Sequence, residues 1–337
     1  MRKLLPTVAL AMIHIAGDNL GVVPAFAVML GVNIYWIIIV AYIILGTVVA
    51  GVAAWIGSYS GLELGTVVSR LFGCRGKQLL AVAILSVSIP ASAITGGYFA
   101  GQLVVMLTGI PYCWAVIICL IAFLLLAAGW WRDFWIVINY VSFLLIPLVV
   151  VLAITAGDYN PPQVEYTGLT DWLLVLALFS YNAGGMRPAV VIEAAGHLAG
   201  KGYKSVAFAV AAKIIEGLFT LFIAYVVFKA PVYGSLILPD MADLYLGYGG
   251  AVVFKLVLLS TFIMTMAPAM MANAKQVVIL TGVEFKLAML ISGLVVYAIS
   301  LIDYQIVLTV MSGTGLIMVI YLGYIVCFLH KSGQKKL

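Results

Sequence analysis

The feature that most constrains this chain is a succession of apolar stretches, each near the length a bilayer requires. A helix needs about 20 predominantly apolar residues to cross the hydrocarbon core. Ten such stretches can be read, at about 4–30, 33–57, 77–107, 111–130, 134–156, 170–195, 204–229, 248–275, 285–302 and 305–329. Of the 337 residues 65% are hydrophobic and only 9% charged, against about 25% charged in soluble domains. The sequence therefore predicts an all-α polytopic membrane protein embedded in a lipid bilayer. The net charge of +5 resides in the loops and speaks to orientation rather than to nucleic acid, so no nucleic-acid partner is expected.

The basic residues set that orientation. Arg70, Arg75, Lys77, Arg132, Lys201, Lys204, Lys275 and Lys286 fall in alternate loops, with Arg2, Lys3, Lys331, Lys335 and Lys336 at the two ends. The opposite loops carry Asp158, Glu165, Asp171, Asp240, Asp243 and Asp303, with Lys229 as their exception. Basic loops stay on the cytoplasmic side, which predicts two cytoplasmic termini and, for a chain with such short loops, the plasma membrane. Arg2-Lys3 before an apolar run resembles a leader, but the run continues through Asp18 to Leu30 without a convincing cleavage site, so retention of the segment is expected. The cysteines Cys74, Cys113, Cys119 and Cys327 have no metal or redox spacing and read as small hydrophobes, with Cys74 a reduced loop thiol.

Two interruptions organise the rest. Ala16-Gly17-Asp18-Asn19-Leu20-Gly21 breaks the first segment, and Tyr181-Asn182-Ala183-Gly184-Gly185 breaks the sixth. A charged side chain at the bilayer centre costs at least ~2.5–3.5 kcal/mol, and irregular backbone survives there only when it lines a protein-enclosed or watery cavity. Ten segments divide into five beginning inside and five beginning outside, with a broken helix first in each half, the signature of inverted-repeat transporters. The expected halves are 1–157 and 170–330, joined by an outer linker at 158–169 and followed by a cytoplasmic tail at 331–337. No residue-level repeat is visible.

Intramembrane ionisable residues suggest function. Asp18 lies mid-segment one helical turn after His14, suited to solute binding or to carrying a coupling proton. Either Asp18 or Asn19 could instead cap the half-helix. An ionised Asp18 favours a cationic or polar neutral solute. Arg187 follows the second break and could pair with Asp18 or hold a solute acceptor, with an ion pair to Glu193 as the structural alternative. Lys213 and Glu216, at i,i+3, can meet on one helical face; a structural pair and a proton-coupling role for Glu216 are both open. Lys255 lies near enough to the outer surface to snorkel. Tyr98, after Thr95-Gly96-Gly97, and Gln102 one turn on could line a cavity. Thr261 and Thr265, with Ser260, could ligate sodium or bond their own backbone, and Asn273 is a polar candidate. Solute-binding candidates are thus Gly17, Asp18, Asn19, Tyr98, Gln102, Asn182, Gly184, Gly185 and Asn273. Ion-coupling candidates are Asp18, Arg187, Glu216, Thr261 and Thr265, with a proton or sodium as the ion and no other cofactor or firm metal site.

Gly57-Ser58-Tyr59-Ser60-Gly61-Leu62 and Ser69-Arg70-Leu71-Phe72-Gly73-Cys74-Arg75-Gly76 resemble the cytoplasmic loop of the nucleobase:cation symporters, whose pattern is G-x-x-x-G-L, a spacer, then R-x-x-F-G-x-x-G. Here the arginine stands one residue closer to the phenylalanine. Asn182-Ala183-Gly184 resembles that family's small-residue break, and Asn273-Ala274 its solute-facing asparagine. The resemblance implies the amino acid–polyamine–organocation superfamily, the LeuT-like five-plus-five fold with helices 1 and 6 broken, and symport of a small solute by alternating access. The family's base-stacking tryptophan falls on Ala91, and its paired sodium-site hydroxyls on Ala269 and Met270.

The expected function is secondary transport of a small polar organic solute, nucleobase-like or else an amino acid or amine. A membrane receptor of the same fold is the rival. No G-x-x-x-x-G-K motif followed by Ser or Thr, no H-E-x-x-H and no G-x-S-x-G occurs, and His14, His197 and His330 are scattered, so neither an ATP-driven pump nor an enzyme is expected.

Overall fold

The computed structural model describes residues 18–60, 64–128, 141, 143–163, 178, 203–231, 236–304, 306–307, 310, 320 and 323–327. The described elements are helical throughout. They are α1 (Asp18–Leu30), a 3₁₀ turn (Gly31–Asn33), α2 (Ile34–Ile38), a π-helical stretch (Ile39–Leu45) and α3 (Gly46–Ser60). Then come α4 (Leu64–Ser92), a second π-helical stretch (Ala93–Phe99), α5 (Ala100–Thr108), α6 (Tyr112–Ala127) and α7 (Leu145–Thr155). The remainder are α8 (Tyr203–Val227), α9 (Ile237–Tyr245), α10 (Gly247–Thr281) and α11 (Phe285–Ser300). This is an all-α polytopic membrane protein.

Within the described residues the expected segments are largely helical, with four differences; most of the sixth and tenth segments and the first parts of the first and fifth lie outside those residues. The first and second segments are separated by one tight turn rather than a loop. Gly31 adopts φ 53°, a left-handed conformation that costs an ordinary L-residue more than glycine, and this breaks the helical run between α1 and α2. The third segment is extended backwards by Leu64–Phe72, which joins it through Gly73 at φ 72°, ψ −169°, a kink only glycine adopts without strain. The eighth segment runs on past Asn273 to Thr281. The loop before it contains a further short helix, α9.

Packing sorts the helices into two groups. α8 lies along α3 and also contacts α1, α2 and the first π-helical stretch. α10 lies along α4, α11, α6 and α9, while α11 and α6 close on the second π-helical stretch. α7 touches both α8 and α10. In a bilayer, lipid tails are as apolar as leucine, so association depends on close backbone approach. The α3–α8 seam follows that rule with Ala50, Ala53, Ala54, Ala209 and Ala212, all buried. A Cβ on Gly217 would collide with Ile43, and one on Gly51 would lie 3.3 Å from Val210. In the other group, a Cβ on Gly96 would lie 2.7 Å from Met266, and one on Gly97 would collide with Ser300. The groups meet where Gly21 of α1 lies flat against the Phe99 ring.

Candidate functional site

Among the described residues, two groups of buried polar side chains bond one another across helices, one in each helix group. The first joins α1, α8 and the first π-helical stretch. Glu216 sits one residue past the middle of α8 and is fully buried. Its Oε2 accepts from Lys213 Nζ at 2.6 Å, with Lys213 itself 3% exposed. Its Oε1 accepts from Asn19 Nδ2 at 3.2 Å. The Lys213 ammonium also lies 5.3 Å from the centre of the Tyr42 ring. Position i,i+3 on one helix brings lysine and glutamate together, and two helices of the same group bring Asn19 and Tyr42 to them.

The orientation of Asn19 follows from its partner. An ionised carboxylate only accepts hydrogen bonds, so the amide nitrogen faces Glu216 and the carbonyl oxygen faces away. Among the described residues that oxygen, Asn19 Oδ1, is buried without a hydrogen-bond partner, as are Tyr42 Oη and Thr47 Oγ1. Buried polar atoms in native proteins are almost always satisfied by protein, water or ligand. Leaving one unmet costs ~1–3 kcal/mol.

The second cluster joins α4 to α10. Ser88 donates to Asn273 Oδ1 at 2.5 Å, and Asn273 Nδ2 donates to Ser92 Oγ at 3.2 Å. All three residues are buried. The serines flank Pro90, which lacks an N–H and interrupts the α4 ladder, and α10 carries its own proline at Pro268. Both ends of the Asn273 amide are therefore engaged in binding two helices together.

The other sequence candidates are distributed as follows. Tyr98 is half-buried and stacks on Tyr304, with ring centres 4.7 Å apart, within a group completed by Phe99 and Tyr112. Gln102 is half-buried one turn on. Thr261 Oγ1 donates to Val257 O at 2.8 Å, Thr265 Oγ1 to Thr261 O at 3.2 Å and Ser260 Oγ to Val257 O at 2.6 Å. All three hydroxyl protons thus go to the backbone of α10. Asp18 opens the described part of α1, with its side chain outside the described residues. Gly17, Asn182, Gly184, Gly185, Arg187 and Glu193 also lie outside them.

Lys255 does not snorkel alone. Its ammonium is 2.7 Å from both carboxylate oxygens of Asp243, which fastens α9 to α10. Partial burial, and then the neighbouring Asp243 charge, push the Asp240 carboxyl above its ordinary range. Sequence reasoning did not single out Tyr42, Ser88 or Ser92. The available signals were a lone tyrosine inside an apolar run and serines spaced about a membrane proline.

No protein-family model and no curated protein matches the chain in sequence. Solved structures do match. A manganese transporter of Eremococcus coleocola, in complex with an aromatic bis-isothiourea substituted compound, superposes with TM-score 0.61 at 14% identity. The alignment covers 96% of this chain and 77% of that one. A histidine-to-alanine variant of the same transporter gives 0.59 at 15% identity over the same shares. The chain thus has the fold of a membrane transporter, the LeuT-like class. At this identity the likeness establishes the fold alone.

Proposed function

We propose that the protein is a secondary transporter of a small polar solute, cationic or rich in N–H donors, bound beside Asn19 and moved by alternating access. The observation that carries this reading is Asn19 Oδ1, a fully buried acceptor without a partner among the described residues, whose amide nitrogen is tied to a buried ion pair. It stands at the opening of α1, where the sequence breaks its first membrane segment. Such breaks supply binding groups in transporters built from inverted repeats, and the matched structures supply the transporter fold. A carbonyl oxygen rewards a donor or a cation.

An amine or amino acid ammonium and the ring N–H groups of a nucleobase both satisfy that chemistry. The loop pattern at 57–76 favours the nucleobase, and the acceptor at Asn19 together with Asp18 favours the cation. The manganese named for the structural neighbours is a cation of another kind and belongs in the same screen. Drive comes from an ion gradient or from the solute's own, and the membrane is the plasma membrane with both termini cytoplasmic, as the basic loops argue.

The test is a thermal-stability screen of the purified protein with amines, amino acids, nucleobases and manganese. A ligand that binds the folded state raises stability by RT ln(1 + [L]/Kd). The expected result is stabilisation by a donor-bearing or cationic solute that Asn19→Leu abolishes. Stabilisation by carboxylate anions alone would overturn the reading.

A further inference from the structure

We propose that Glu216 is a proton-operated switch that decides which end of the Asn19 carboxamide faces the solute, so that proton and solute displace one another. The inference rests on the reading of Asn19 as a solute-binding group and adds to it a coupling mode, exchange in place of symport.

The argument starts from the two ends of a carboxamide. One end donates, the other accepts, and a half-turn about the last side-chain bond swaps them with almost no change of shape. Ionised Glu216 accepts at both oxygens, from Asn19 and from Lys213. That state requires the amide nitrogen to face Glu216 and leaves the carbonyl for the solute. A proton taken up on Oε1 turns that oxygen into a donor. The carbonyl of Asn19 becomes its partner, and the amide nitrogen turns toward the solute. A cation or N–H donor then meets a donor and loses its hydrogen bond. No covalent bond other than the O–H of Glu216 is made, and the proton comes from water on whichever side the site is open.

Charge leads to the same exchange. The titratable and charged groups facing Glu216 among the described residues are Lys213 on its own helix and Tyr42 on the π-helical stretch. Asp18 precedes Asn19 on α1. α2, α3 and α7, which also pack on α8, contain no Asp, Glu, Lys, Arg or His. Lys213 and Glu216 cancel as a pair, so a proton on Glu216 and a cationic solute each add one positive charge to the same buried site. Both at once leave an uncompensated charge in the membrane interior, which is costly. The Tyr42 ring beneath the ammonium keeps Lys213 in place when Glu216 is neutral, as cation–π contacts do.

The deciding experiment needs no solute. Infrared difference spectra of the protein in lipid are recorded as pH is lowered, for wild type, Glu216→Gln and Asn19→Leu. The expected result is a protonated-carboxyl band lost in Glu216→Gln, accompanied by a side-chain amide carbonyl shift lost in both variants. A carboxyl band without that amide shift, or no band that depends on Glu216, overturns the proposal. The double variant Lys213→Met/Glu216→Gln, which removes both charges of the pair, provides a second readout with whichever solute the stability screen identifies. Wild-type affinity should fall about tenfold per pH unit below the Glu216 midpoint, and the double variant should be flat. A flat wild-type profile overturns the switch. A screen in which nothing binds refutes the functional reading, while the spectra still decide the switch.

Discussion

Removing Lys213 alone should be far more damaging than removing Lys213 and Glu216 together. The pair is 3% and 0% exposed with its charged atoms 2.6 Å apart. Lys213→Met removes the ammonium from a buried carboxylate that also accepts the 3.2 Å donor from Asn19. Stranding one charge of a buried pair costs ~3–5 kcal/mol, whereas a single polar contact between membrane helices returns only ~0.6–2 kcal/mol. Glu216→Gln alone strands the ammonium over the Tyr42 ring, and that contact offsets at most ~2 kcal/mol. Lys213→Met/Glu216→Gln removes both charges at similar volume, and such replacements are often neutral or stabilising. The double variant should therefore lie within ~1 kcal/mol of wild type, giving a double-mutant coupling energy of several kcal/mol. Reversible unfolding in bicelles by steric trapping measures all four proteins without the scan-rate dependence of irreversible melts. Single variants near wild type, or effects that simply add, would refute the claim that these two charges are held as a buried pair.

Four further outcomes follow from the same structure. Gly21→Ala should cost ~1–3 kcal/mol, because the added carbon collides with Phe99, a ring 1% exposed and stacked on Phe262; Phe99→Leu in the same chain should restore stability. Asn273→Leu should lower stability by ~1–2 kcal/mol through loss of the Ser88 and Ser92 bonds, and should leave solute-induced stabilisation in place. Thr261→Val should change stability by less than ~1 kcal/mol and should not alter any sodium response, since its hydroxyl proton serves Val257 O. Asp240 binds its proton more tightly folded than unfolded. Its contribution therefore favours the folded state below its ordinary range and is lost as pH rises through the raised folded value, so Asp240→Asn should raise stability at neutral pH and remove that part of the acid-side gain.

Apolar run length made the described membrane-length helices legible in sequence. The Gly31 turn was not legible, because a single glycine between apolar runs looks like any short loop. α9 was hidden because Ile237–Tyr245 is too short and mixed to register as a segment. The Lys213–Glu216 pair could be anticipated from its spacing. Its connection to Asn19 could not, because 197 residues separate Asn19 from Glu216 and only the packing of α1 on α8 brings them together. Asn273 was legible as a polar residue in a membrane helix, but its engagement by two serines depends on how α4 and α10 are placed. Tyr42 had no partner pattern in sequence, since its neighbour Lys213 lies on another helix.

The central claim is transport through a site at Asn19, and the most direct measurement is solute counterflow in proteoliposomes. Vesicles are loaded with the solute that stabilises the protein in the screen, then given a trace of the same solute, labelled, outside. The account predicts transient accumulation of label with wild-type protein, and none with Asn19→Leu. A solute that binds wild type tightly but shows no counterflow would contradict it and make the protein a receptor with a transporter's fold.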